Sequence, residues 1–190
     1  MRARYVSLLP ALALVAACSS ETKEEPAAPA LTFNEVMKDQ VDKNADELWD
    51  ISNAAIGDSA GLDPAKMSDA RWAQLEAKAE AVQQAALEIA TMDPVVVARP
   101  RVKISDEGIP GGHTAAQVQA RFDKDPAKLR ELANALAAHT GELATAARAH
   151  DAARAGALVD QLDPVCESCH LEFWYPDQKA AVDEILREQS

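Results

Sequence analysis

The run Cys166-Glu167-Ser168-Cys169-His170 constrains this 190-residue chain more than any other stretch. Its C-x-x-C-H spacing is the pattern of covalent c-type haem attachment. Two thiols separated by two residues lie on one helical turn, so both sulfurs reach the vinyl groups along one edge of the porphyrin. The next residue then lies under the iron, where an imidazole is a strong axial ligand. Three other readings share the spacing: an extracytoplasmic disulfide, a redox dithiol, and half of a zinc site. Zinc requires two further ligands, and the sequence holds no second Cys pair. A thioredoxin-like dithiol belongs beside a βαβ pattern, and none is visible.

The length favours one domain. Hydrophobic residues make up 48% but aromatics only 4%, with much of the remainder alanine and only 7 glycines. Such a composition favours helices. A net charge of -12 argues against a nucleic-acid partner. It suits a basic protein partner or an acidic soluble surface.

Residues 1–17 read as a signal segment. Arg2 and Arg4 form a positive start, and Val6 to Ala17 is apolar but too short for a membrane span. The segment ends in Val15-Ala16-Ala17-Cys18, which resembles a bacterial lipobox; the alternative is an ordinary secretory signal with an incidental cysteine. Lipidation at Cys18 implies anchoring on the periplasmic side of a bacterial membrane. It also assigns all 3 cysteines, one to lipid and two to haem. Residues 18–31, polar and proline-containing without periodicity, read as a flexible tether. The domain itself occupies 32–190.

Four helical patterns follow. The first, from Thr32 to Ile56, opens on a Thr32/Glu35 capping box and carries a stripe of Met37, Val41, Ala45, Leu48, Ser52 and Ala55. The second, from Ser68 to Met92, repeats Trp72, Leu75, Ala79, Val82, Ala86 and Ile89, the spacing of a bundle seam. The third, from Pro126 to Ala149, is capped by Asp125 and striped by Leu129, Leu132, Leu136, Thr140, Leu143 and Ala147. The fourth starts near Gly156 and meets Asp163-Pro164, which either kinks it or caps a fresh helix. Val165, Cys169 and Phe173 share one of its faces. After Tyr175-Pro176, residues 177–188 predict a short final helix.

An insertion, 93–125, separates the second and third helices. Val95 to Val97 offer brief strand character, limited by prolines, and a loop this long is usually functional or disordered. Arg99, Arg101 and Lys103 are candidates for pairing with haem propionates, or form a solvated loop. His113 sits within reach of a haem in principle. His139 reads as a hydrogen-bonded core or boundary residue or as a second imidazole ligand of the iron, His150 as exposed, and Trp49 and Trp72 as core.

Four antiparallel helices with the haem motif on the last resemble the cytochrome c′ family of class II c-type cytochromes, including its low-spin cytochrome c-556 members. The resemblance covers most of 32–176, with the insertion outside it. It implies an all-α antiparallel four-helix bundle holding one haem c, with thioether bonds to Cys166 and Cys169 and axial His170. In the family a residue of helix one lies over the other face of the haem; Met37, in Val36-Met37-Lys38, maps there. It reads as the sixth iron ligand or as core filling. Phe173 matches an aromatic that follows the haem histidine. The chain departs from the family at Trp174, where an arginine is common, and at Pro164. Family members pair through helices one and two, which implies a homodimer.

The resemblance implies a membrane-tethered periplasmic electron carrier without substrate turnover, serving a redox partner protein. The alternative is a five-coordinate haem protein that binds nitric oxide or carbon monoxide, with Met37 as a steric gate. A lipoprotein without haem, its cysteines a structural pair, is the third reading. No paired catalytic carboxylates, phosphate loop or nucleophile constellation is present, so the chain is not expected to be an enzyme.

Overall fold

The computed structural model describes residues 31–57 and 61–188; the signal segment, Cys18 and the tether as far as residue 30 lie outside these residues. Thr32 opens the first helix as predicted. Its hydroxyl accepts from the Glu35 backbone, and the Glu35 carboxylate accepts from the Thr32 N–H at 2.8 Å. Helix α1 is short, Phe33–Val36. It runs into a π-helical segment, Met37–Asp42, and then into α2, Lys43–Asn53.

The residues this rod buries are Phe33, Val36, Val41, Ala45, Leu48 and Ser52. From Val41 onward the steps are three or four, but Val36 to Val41 is a step of five. A π turn closes its hydrogen bonds one residue later than an α turn, so the buried stripe slips by one position there. Met37, expected on the stripe, is therefore only partly buried at the edge of the core.

The two longest helices follow their predicted patterns closely. Helix α3, Asp69–Thr91, is capped by Ser68 and buries all six predicted seam residues, Trp72 through Ile89. The insertion is not a plain loop, because it contains helix α4, Ala115–Lys124, opened by a Thr114/Gln117 capping box. Helix α5, Pro126–Arg148, is capped by Asp125 with proline at its start. Thr140 on its buried face donates to the Leu136 carbonyl at 2.8 Å, so its hydroxyl is satisfied without water. Leu75 and Leu143 are both 0% exposed, and full burial of such a side chain contributes about 1.5–3 kcal/mol.

The fourth helical pattern divides into α6, Ala152–Asp160, and α7, Leu162–Cys169, followed by a second π-helical segment, His170–Trp174. The break falls at Gln161 rather than at Asp163-Pro164. Pro164 is the third residue of α7, where a backbone N–H has no carbonyl of its own helix to meet. The proline thus neither kinks nor starts this helix. After Tyr175 a 3₁₀ turn, Pro176–Gln178, leads to α8, Lys179–Glu188.

The fold is all-α; among the described residues the only bridge pairing is the isolated Ile56–Leu62 contact. Helix α2 packs on α3, α3 on α5, and α5 on α6 and α7, while α6 returns to α2. Val95–Val97 forms no strand. Instead the Val96 and Val97 carbonyls accept from Phe33 and Asn34 N–H at 2.8 and 2.9 Å. Those are donors that a helix N-terminus cannot satisfy by itself.

Candidate functional site

The two π-helical segments border one cavity. Its walls are apolar residues of α3 and α5, among them Ile89, Leu129 and Leu136, together with the rings of Phe33, Phe122 and Phe173. Into it come Met37, from the first π segment, and Cys166, Cys169 and His170, from the end of α7 and the start of the second. Val165 and Phe173 line it too, as their shared face with Cys169 predicts. Both candidate iron ligands therefore stand at the first residue of a π turn. Such turns are rare, and they occur often at functional sites.

The chemistry of the thiols separates the readings of the motif. Both cysteines are free. Burial pushes Cys166 up to about 11, with the nearby carboxylates of Asp163, Asp42 and Glu167 adding to the effect. Burial pushes Cys169 up to about 12. Reactive dithiols instead carry lowered pKa values in electropositive surroundings, so these protonated, apolar-flanked thiols do not fit redox exchange. Among the described residues no three of His, Cys, Asp and Glu group together.

His170 is half-exposed, and its Nδ1 lies 3.7 Å from the Glu167 carboxylate. That distance exceeds a hydrogen bond but makes Glu167, inside the motif, the group nearest to orienting the ring. The His170 carbonyl accepts from the Tyr175 N–H at 2.7 Å, closing the π turn. Phe173 is buried, and its ring meets Phe122 edge-on at 5.0 Å. Trp174 lines the cavity and tilts against Phe33 at 6.3 Å.

The polar rim comes from α1, the first π segment, the insertion and Tyr175: Asn34, Lys38, Asp42, Ser105, Asp106 and Tyr175. The Tyr175 hydroxyl donates to the Asp106 carboxylate; partial burial and this contact push the phenol up to about 12. Desolvation also raises Asp42, opposed by His170 and reinforced by Asp46.

The other sequence candidates lie elsewhere. Arg99 pairs with Glu35 at 2.6 Å, and neither it nor Arg101 nor Lys103 lines the cavity. The lysine that does is Lys38, beside Met37, which sequence reasoning passed over. His113 packs against Arg121, at 3.2 Å, and Asp177, at 3.4 Å. His139 meets the Leu158 carbonyl at 2.8 Å through Nε2. His150 is exposed and stacks on Trp72. None of these three lines the cavity.

No family model matches the chain, and no curated protein or solved structure matches it either.

Proposed function

We propose that the chain is a membrane-tethered, periplasmic mono-haem c-type cytochrome of the four-helix-bundle class, an electron carrier without substrate turnover. One juxtaposition carries the reading. The C-x-x-C-H run and a methionine from a separate helix enter the same apolar cavity.

The residues fit a porphyrin. Two protonated thiols two residues apart are suited to thioether bonds, and the flat aromatic and aliphatic walls are suited to a macrocycle. A haem c held there supplies an iron that alternates between ferrous and ferric states. His170 would be its imidazole ligand, with the Glu167 carboxylate 3.7 Å from Nδ1; a carboxylate drawn onto that nitrogen would raise the ring's basicity. Met37 supplies the thioether, which favours the ferrous state and raises the potential. The apolar lining excludes water and acts in the same sense. Phe173, which lines the cavity, would flank the bound group. Lys38 offers a cation at the polar rim where propionates belong.

The carboxylates of Asp163, Glu167 and Glu172 stand near the two thiols. They give the thioether edge a negative field that suits a basic redox partner. The tether from Cys18 keeps the domain beside a membrane-bound donor or acceptor.

The deciding experiment is the ferrous optical spectrum of the matured protein, with a pyridine haemochrome assay for covalent haem. A sharp, split pair of bands is expected from a low-spin, six-coordinate iron. Met37→Ala is expected to convert it to a broad high-spin spectrum and to lower the potential. An unchanged spectrum in that variant would remove Met37 from the site. For the anchor, Cys18→Ser is expected to move the protein from the membrane pellet to the soluble fraction. Continued pelleting would rule the lipid out.

A further inference from the structure

The insertion 93–125 touches α1, which runs directly into the Met37 segment, and the second π segment, which carries His170. On the Met37 side, the Val96 and Val97 carbonyls complete the N-terminus of α1, and Arg99 pairs with Glu35 inside its capping box. Gln119 of α4 pins that stretch from behind. Its side-chain oxygen accepts from the Val97 N–H at 2.8 Å, and its nitrogen donates to the Val95 carbonyl at 2.9 Å.

Two residues further along α4, the chain grips the His170 side. Arg121 donates through Nη1 to the Phe173 carbonyl at 3.0 Å. That carbonyl lies at the end of the second π segment, where helical acceptors run out of partners. Arg121 is itself held by His113, which is backed by Asp177. The next residue, Phe122, is 1% exposed. It meets Phe33 edge-on at 4.8 Å on one side and Phe173 edge-on at 5.0 Å on the other. One turn of α4 thus contacts both walls of the cavity.

We propose that the insertion is a brace holding the His170 and Met37 segments in register across the cavity, with Arg121 as a positioning residue for His170. The inference rests on the haem reading above. The second π segment is only five residues long and is capped at Tyr175, so the position of His170 depends on what fixes the far end of its segment. Arg121 fixes it with a charge-assisted hydrogen bond. Without that bond the segment would loosen from Tyr175 back toward His170, and the pairing of His170 with Met37 across the cavity would be less well held.

The test uses full-length, matured protein and follows carbon monoxide uptake by the ferrous form, which must displace Met37. Arg121→Met, which keeps the apolar stem and removes the donors, is expected to speed uptake about tenfold, equivalent to about 1.4 kcal/mol. A high-spin fraction should accompany it. Arg121→Lys, which retains one charged donor, is expected to restore most of the wild-type rate. Gln119→Leu leaves Arg121 and Phe122 in place but frees the 95–97 stretch, and should act in the same direction; it carries the test alone if Arg121→Met fails to mature. Unchanged uptake and spectrum in the variants, with only a lower melting temperature, would reduce the insertion to a stabilising element and overturn the proposal. A wild-type protein with covalent haem but a high-spin spectrum would overturn the brace while leaving the haem. A negative haemochrome assay would remove the haem reading itself, and the brace with it.

Discussion

The α3–α5 pair is solidly filled around Leu75 and Leu143, but toward the end of α3 and the start of α5, at Ile89, Leu129 and Leu136, it walls a cavity that the two π segments border. Along α3 the buried side chains recur at steps of three and four without interruption, from Trp72 to Ile89. Around Leu75 and Leu143, both 0% exposed, interdigitation at that period fills the space. In the first π segment the period slips by one, and in the second the helix widens at His170. Both segments border the cavity, together with Ile89 of α3 and Leu129, Leu132 and Leu136 of α5. The difference teaches that this chain makes its site by breaking a rule it otherwise keeps.

The contrast is sharpened first by truncating two leucines of α5, one in the filled stretch and one at the cavity. Leu143 is 0% exposed on the filled side, so Leu143→Ala is expected to cost about 2–5 kcal/mol. Leu132 is only partly buried and lines the cavity, so Leu132→Ala should cost clearly less in stability while shifting the haem spectrum. Urea unfolding and the optical spectrum, measured on both variants, give the comparison. Equal costs, or a spectral change in Leu143→Ala alone, would break it.

A smaller effect concerns acid. Glu35 is held at about 2, against an ordinary 4.5, chiefly by its hydrogen bond to Arg99 and then by the Thr32 backbone. A carboxyl whose folded-state value is depressed stabilises the fold fully above 4.5 and loses that contribution as the pH falls toward 2. Because the pair is exposed, the effect is modest and screened by salt. Amide exchange at Phe33 and Asn34 is expected to speed up over that range at low ionic strength, and less so in high salt. Amides in the middle of α5 should not follow.

Much of the fold was legible because long amphipathic helices announce themselves. The α3 stripe, the Asp125-Pro126 start of α5 and the Thr32 capping box all read directly from residue spacing. The site motif was legible for a different reason: Cys166, Cys169 and His170 are chemically unusual residues at a fixed separation. What escaped was where the helical period fails. Met37 was assigned to the α-helical stripe because a four-residue step to Val41 looks regular; the five-residue step from Val36 is equally present but has no separate signature. Helix α4 was missed although Thr114 and Gln117 form a capping box and Val118 and Phe122 are four apart. The surrounding prolines and glycines outweighed a ten-residue signal. The Arg99, Arg101 and Lys103 cluster misled for a third reason, since a basic run gives no direction, and Arg99 turned to Glu35 at the mouth of α1 instead.

The extra residue in the Met37–Asp42 turn carries a geometric consequence. Each residue of an α-helix advances the chain by about 100° around the axis. Shortening that turn by one would restore the regular winding of the rod but swing everything upstream, Phe33 and the Thr32 cap included, a quarter-circle or more away from the neighbours they now face. The thioether and the aromatic ring beside it reach the same hollow only because the rod is one residue longer than its own screw requires.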